Sequence, residues 1–456
     1  MPFARVMKFG GAALCDGPAI QRACQIIQTR GGARPLVVVS AHQGVTDMLD
    51  TIARSAAEGH VEGDRVRIRH RSILHQLGLE PDLLDRYFIE LYAVLEEVRR
   101  RGRLAPGELD HILAMGERMS ARVVAHALKA AGLRATPVDA YDVGLVTDSN
   151  HGDARPLPGQ GDKIRAALEQ VAGIPVVTGF LARDARGNLT TMGRNGSDLT
   201  AALLAEAVGA AELQLWKTVS GMMTADPDLV PEARTVERLG LAEAAEYAFH
   251  GAEVVYGAAL APVQRANVSV RILDARTPSD AGTVLEAASR PAGAVGLAAR
   301  RRLLRLEVAI GPLEPRGACL ADLFTLMARH QIEPGLVSTA GDRAVVHVAP
   351  CPGLEALVAA LGRRARVERD ISLVAVVGRD LGADGVLAAR AMAALANAGV
   401  AVQEACVGAR VSSQAFVVAE AQLERAARAL HAELFPAPAA RPPASTPVPL
   451  ASTARA

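Results

Sequence analysis

Short, unbroken apolar runs alternate with longer stretches of helical spacing through residues 1–290. The runs fall at residues 4–9, 36–40 (LVVVS), 135–138, 175–178, 213–216 and 268–273. A strand covered on both faces reads as a continuous apolar run, whereas a half-exposed one alternates. Between the runs, Ile20, Cys24 and Ile27, and later Leu91, Leu95 and Val98, recur at the spacing of one helix face. Strands alternating with helices predict an α/β domain with a mainly parallel sheet in a three-layer αβα sandwich, spanning residues 1–290. Beyond Arg290-Pro291 the pattern changes. Residues 303–310, 332–337 and 344–348 are strand-like and 320–330 helical. The order then recurs as 371–377, 385–398, 400–407 and 413–419, with a closing helix at 421–434. This internal repeat predicts two small ferredoxin-like α/β modules, at 300–365 and 366–436. Residues 437–456 are rich in Pro, Ala, Ser and Thr without a core pattern, and are expected to be a disordered tail.

Composition narrows the class. A chain of 456 residues exceeds one compact core. Half the residues are apolar and only 3% aromatic, so the cores are aliphatic. A formal charge of +1 argues against a nucleic-acid footprint. The arginines at 65, 67, 69, 71 and 99–101 lack interleaved aromatics and read as solvated helix faces. Cys15, Cys24, Cys319, Cys351 and Cys406 are odd in number and form no CxxC pair, which fits reduced thiols better than a disulfide framework or zinc site. No apolar run reaches membrane-span length, and the opening MPFARVMKFGG has no signal-peptide pattern. A cytoplasmic protein with neither membrane nor nucleic-acid partner is expected.

Candidate chemistry is concentrated in four stretches. GxxxxGK[ST], GxSxG and HExxH are all missing. Residues 187–200, GNLTTMGRNGSDLT, combine glycines, hydroxyls, Arg194 and Asp198 just before an apolar helix, with Ser197 or Asp198 near its N-cap. A glycine-rich loop feeding a helix start can bind phosphate or carboxylate, although an ordinary polar capping loop looks the same. Lys8-Phe9-Gly10-Gly11 closes the first strand, placing an ammonium beside bare N–H groups or simply ending a strand in a turn. Ser40-Ala41-His42-Gln43-Gly44-Val45-Thr46-Asp47 follows the LVVVS strand and offers hydroxyls at a strand end. In Gly116-Glu117-Arg118-Met119-Ser120, Glu117 shares a helix row with Leu113, Ser120, Val124 and Leu128. A carboxylate in an apolar row needs a cation opposite it, supplied by a substrate ammonium or by a protein arginine.

Together these stretches resemble the aspartate kinase family of the amino-acid-kinase fold. Lys8-Phe9-Gly10-Gly11 is similar to its KFGG(T/S) opening, SAHQGVTDML to SAMSGVTDxL, and GERMSA to GE(R/L)MSA. Gly179-Phe180 and TTMGRNGSDLTA resemble GF…TTLGRGGSDxTA, and WKTVSGMMTADPDLVPEAR resembles WTDVDGVYTADPRLVPEAR. The two small modules resemble the paired ACT regulatory modules of that family. The resemblance implies phosphorylation of the L-aspartate side chain by ATP with Mg²⁺, on the route to lysine, threonine and methionine. It implies that Lys8 meets the transferring phosphoryl group and that Asp198 holds Lys8. Ser40, Thr46, Glu117, Phe180, Arg194 and Ser197 would bind aspartate, with Glu117 on its amino group and Arg194 on a carboxylate. Lys8, Gly10, Gly11, Lys217, Thr218, Met223, Asp228 and Glu253 would lie on the nucleotide side, and no protein side chain is assigned to a metal. At least a homodimer is implied, with lysine, threonine or methionine as effector. Departures concentrate on the nucleotide side: Thr218 for aspartate, Met223 for tyrosine, Asp228 for arginine, Glu253 for lysine and Tyr256-Gly257 for His-Pro. The two anions oppose a polyphosphate and predict weak ATP binding. They also leave open an alternative, a kinase-derived amino-acid-binding regulator with little turnover.

Overall fold

The computed structural model describes residues 3–61, 64–252, 254–287, 292–311, 315–382, 385–407 and 412–436. The linker Arg290-Pro291, Glu253 and the segment 437–456 lie outside the described residues.

The apolar runs of the first domain become β1 (Arg5–Phe9), β2 (Leu36–Val39), β3 (Ala135–Val138), β5 (Ile174–Thr178), β8 (Glu212–Lys217) and β10 (Ser269–Asp274). They align in parallel, and β11 (Thr283–Glu286) joins antiparallel to β10 with β9 (Arg238–Gly240) at the edge, giving the order β3-β5-β2-β1-β8-β10-β11-β9. A three-stranded sheet, β4 (Val146–Thr147), β6 (Leu181–Asp184) and β7 (Leu189–Thr191), stands apart from it.

Register decides what the large sheet presents. Phe9 lies opposite Val39 on one side and Trp216 on the other, and Val39 lies opposite Thr178. The carboxyl ends of four strands therefore open at one level, where an open parallel sheet places its ligands. The strand pleat sends Met7 and Phe9 into a core with Ile20, Leu49, Leu91 and Met119. Val6 faces the opposite core, built with Ala201, Leu204 and Ala205 of the helix Gly196–Val208. Lys8 shares Val6's parity, so β1 aims its ammonium at that helix.

The C-terminal repeat folds as one continuous sheet rather than two separate ones. It contains β12 (Gly293–Ala309), β13 (Val337–Ala340), β14 (Arg343–Val348), β15 (Ala365–Arg379), β16 (Glu404–Cys406) and β17 (Ser413–Ala419). Their order is β13-β14-β12-β15-β17-β16. β12 and β15 pair along nearly their whole lengths, with register shifts between Ala294 and Gly296 and between Arg300 and Arg305. The strand expected at 332–337 begins only at Val337, although backbone bonding to β14 reaches back to Gly335, just after Pro334, which has no N–H to donate. That expected at 400–407 shrinks to Glu404–Cys406.

The first domain and this sheet share a core. Ala225, Leu229 and Val230, which follow β8, pack with Val376, Phe416, Leu423 and Leu430. Thr224 Oγ1 lies 2.9 Å from His431 Nε2, and Arg234 Nη2 donates to the carbonyls of Phe435 and Pro436, each at 3.1 Å.

Candidate functional site

Three charged side chains meet at the carboxyl ends of β1 and β8. Lys8 Nζ is 2.6 Å from Asp198 Oδ1, and Lys217 Nζ donates to Asp198 Oδ2 at 3.0 Å. Asp198 is brought there by the first turn of the helix Gly196–Val208. That helix begins at an Asn195 cap with φ 57°, two to three residues earlier than the expected Ser197 or Asp198 cap. Asp198 is 1% exposed and Lys8 6%. Burial alone would raise the carboxyl pKa of Asp198, but the two lysines override it and hold it at about 2. Burial pushes the Lys8 ammonium below its ordinary pKa, with Asp198 opposing the shift. One buried anion thus anchors two cations and leaves a net positive charge at the strand ends. Lys217, expected only on the nucleotide side, is part of this group.

Beside it lies a cavity of about 660 Å³. Lys8, Gly11, Ser40, Thr46, Glu117, Phe180, Arg194 and Ser197 all line it, so residues scattered over much of the sequence converge. Gly11 is confined by the strand-end turn, since a Cβ there would sit 2.8 Å from the Ala41 carbonyl oxygen. A Cβ on Gly179 would meet Ser197 Cβ at 2.5 Å, which seats Phe180, itself at φ 69°, against the loop before the Asp198 helix. Glu117 projects from the helix Pro106–Ala130 and is 4% exposed. Its Oε1 accepts from the Ala41 N–H at 3.0 Å, while the buried Oε2 has no partner among the described residues. Burial raises its pKa to about 7, against the Ala41 hydrogen bond. Arg194 is exposed at the cavity wall and makes no ion pair among the described residues. The cavity therefore pairs an unsatisfied buried carboxyl oxygen with an unengaged guanidinium, complementary to an ammonium and a carboxylate.

The remaining expected nucleotide-side residues sit elsewhere. Gly10 adjoins Lys8, its N–H donating to the Trp216 carbonyl at 3.1 Å. The Thr218 carbonyl accepts from Arg276 Nη2 at 2.7 Å, so a cation from beyond β10 stands beside it. Met223 is bridged to Thr235, and Asp228 is exposed in a turn where its N–H donates to Asp226 Oδ1 at 3.0 Å. Thr218, Met223 and Asp228 do not line the 660 Å³ cavity. Glu253 lies outside the described residues.

Sequence reasoning missed Asp110, His151 and Thr191. Asp110 is 1% exposed; its Oδ1 accepts from Thr191 Oγ1 at 2.6 Å, and its Oδ2 lies 2.7 Å from His151 Nδ1. The signal was available, because Asp110 extends the Leu113–Glu117 helix row by one turn. Also missed was His42, whose ring packs 5.4 Å from His70, both fully buried.

A model of the amino acid kinase family matches residues 4–274. The chain belongs to that family and, within it, to the aspartokinases. It is 30% identical to the lysine-sensitive aspartokinase 3 of Escherichia coli, over 94% of this chain and 99% of that protein. It is 27% identical to the chloroplastic aspartokinase 2 of Arabidopsis thaliana, over 94% of this chain and 84% of that one. The fold is similar to E. coli aspartokinase III in complex with aspartate and ADP (TM-score 0.82, 27% identity, 94% and 99% coverage). It is also similar to the same enzyme in complex with lysine and aspartate (TM-score 0.77, 29% identity, 94% and 99% coverage). Among the described residues no helix is long and apolar enough to cross a membrane.

Proposed function

We propose that this protein transfers the γ-phosphoryl group of ATP to the side-chain carboxylate of L-aspartate, giving 4-phospho-L-aspartate and ADP. The observation that carries this reading is the cavity that joins the Lys8–Asp198–Lys217 group to the Glu117 oxygen left without a partner among the described residues and to the exposed Arg194. Glu117 takes the substrate's ammonium and Arg194 its α-carboxylate, with Ser40, Thr46, Phe180 and Ser197 shaping the walls. The side-chain carboxylate is then left facing Lys8. It is already ionised at neutral pH, so attack on the γ-phosphorus needs no general base. An oxygen–phosphorus bond forms as the bond to ADP breaks. Lys8 and Lys217 neutralise the charge spread over the transferring group and the departing diphosphate. Asp198 holds both lysines in place.

Among the described residues no cluster of three or more His, Cys, Asp or Glu could hold a metal ion. Mg²⁺ carried by the nucleotide would supply further charge neutralisation beside Lys8 and Lys217. Gly10, Gly11 and the backbone beside Thr218 present the nucleotide side, with Met223 and Asp228 further out. The C-terminal sheet serves as paired ACT-type modules binding lysine, threonine or methionine across a homodimer or larger oligomer, in a cytoplasmic enzyme.

Hydroxylamine trapping tests the reading. Incubation with ATP, Mg²⁺ and L-aspartate should yield aspartyl hydroxamate, abolished in Lys8→Ala. Aspartate binding by calorimetry without any hydroxamate would make the chain an amino-acid sensor instead.

A further inference from the structure

Next to the aspartate cavity lies a second one of about 510 Å³, bordered by the start of the helix Pro106–Ala130, Tyr141 and the β6–β7 hairpin. Its charges are unevenly satisfied. Glu90 accepts from Arg118 Nη1 at 2.7 Å and lies 2.8 Å from His111 Nε2. Glu108 accepts from the Ala105 N–H at 2.9 Å and pairs with Arg101. Arg183 is different. Its guanidinium lies 4.0 Å from the centroid of the Tyr141 ring and makes no ion pair or side-chain hydrogen bond among the described residues. Asp142 feels it only at longer range. The ring beneath it is fixed by a 2.7 Å hydrogen bond from the Tyr141 hydroxyl to Asp139. Arg183 is exposed, so its donors face water rather than protein groups; a guanidinium held on a fixed aromatic face at a cavity rim and turned to solvent suits an oxyanion.

Two features border both cavities. His151 lines each of them, and its contact with Asp110 Oδ2 leads to Thr191, whose hydroxyl donates to Asp110 Oδ1. The β6–β7 hairpin does the same. Arg183, Asn188 and Leu189 line the second cavity, while Phe180, just before β6, and Thr191, at the end of β7, line the first.

We propose that the second cavity binds a small organic anion bearing a carboxylate or phosphate group, anchored on Arg183. Its occupancy alters aspartate affinity through the hairpin and the His151–Asp110 contact. The binding stands on the cavity alone, whereas the effect on aspartate rests on the function proposed above.

The test is calorimetry of the full chain with inorganic phosphate and with succinate as separate probes, on wild type, Lys8→Ala, Arg194→Gln, Arg183→Glu and Arg183→Gln. At least one probe should bind wild type, Lys8→Ala and Arg194→Gln alike, and bind both Arg183 variants roughly tenfold or more weakly. Which probe binds distinguishes a phosphate from a carboxylate ligand. At saturation that probe should shift the aspartate KM of wild type by roughly twofold or more and leave that of Arg183→Gln unmoved. Binding of neither probe, or binding lost in Lys8→Ala or Arg194→Gln but kept in both Arg183 variants, overturns the site. Arg183-dependent binding with an unmoved KM overturns the coupling. If wild type makes no hydroxamate at all, the proposed function fails and calorimetry alone still decides the site.

Discussion

Protonation of Glu117 should set how aspartate affinity depends on pH. Burial raises this carboxyl from 4.5 to about 7. A shift of that size corresponds to about 3 kcal/mol of penalty on the ionised form in the empty cavity. The sign follows from the raised folded value. The group's contribution to stability is fully present below pH 4.5 and is lost as pH rises to about 7, so the empty protein carries the penalty at physiological pH. An aspartate ammonium against Glu117 Oε2 offsets it, and that ammonium requires the ionised carboxylate. With a single competent protonation state, about a tenth of empty sites accept substrate at pH 6 and about nine tenths at pH 8, so KM for aspartate should be roughly tenfold higher at pH 6. The assay is hydroxamate formation under varied aspartate with ATP saturating, in half-unit steps from pH 6 to 8.5. Glu117→Gln should raise KM and flatten this dependence, leaving the KM for ATP nearly unchanged. A pH-independent KM in wild type, or the same slope in Glu117→Gln, would refute the assignment.

Asp198→Asn removes the anion that pairs with both Lys8 and Lys217, and should lower kcat by roughly a hundredfold or more while CD confirms folding. Retention of near-wild-type kcat would show that the lysines hold their places unaided. Arg194→Lys keeps the charge but loses the fork, so aspartate KM should rise roughly tenfold with ATP KM constant. His42 and His70 are held neutral by burial, at about 3 and about 4, well below the unfolded value of 6.5. Their contribution is present above pH 6.5 and lost as pH falls, by about 4 kcal/mol together at pH 5. Urea unfolding followed through Trp216, buried and stacked on Phe9, should show that loss, and His42→Leu should show about half of it. Asp228 is exposed, so Asp228→Arg should tighten ATP by less than about fivefold. A much larger gain would place Asp228 directly over the nucleotide.

What could be read from the chain followed from how locally each feature is determined. LVVVS can only be a doubly covered strand, and Lys8 must end a strand because Gly10-Gly11 follows it. Period-two parity then sends Lys8 to the same face as Val6. Asp198 needed more, since its partnership with Lys8 depends on β1 lying beside β8 and beneath the helix Gly196–Val208, a contact across nearly two hundred residues. Family resemblance supplied that pairing. No periodicity could have placed Lys217 on the second Asp198 oxygen, because a lysine ending a strand reads the same whether it meets solvent, phosphate or a buried carboxylate.

The nucleotide-side stretch shows a different limit. Resemblance relates residues 224–234 to ATP alone and makes Asp228 a charge facing phosphate. In the fold the same stretch is an interdomain contact: Ala225, Leu229 and Val230 are core residues of the C-terminal sheet, Thr224 meets His431, and Arg234 holds the end of the helix Leu423–Leu434. Such a stretch answers to two sets of neighbours. Its apolar positions are set by packing on the sheet, and the exposed turn carrying Asp228 is screened by water, where a unit charge several ångströms from phosphate is worth under about 1 kcal/mol. The same packing gives an effector bound to the C-terminal sheet a physical route to the end of β8. A displacement of Phe416 or Leu430 must move Leu229 and Val230. Those residues follow Lys217 by about a dozen positions, on a segment that runs from the paired lysines to the C-terminal sheet.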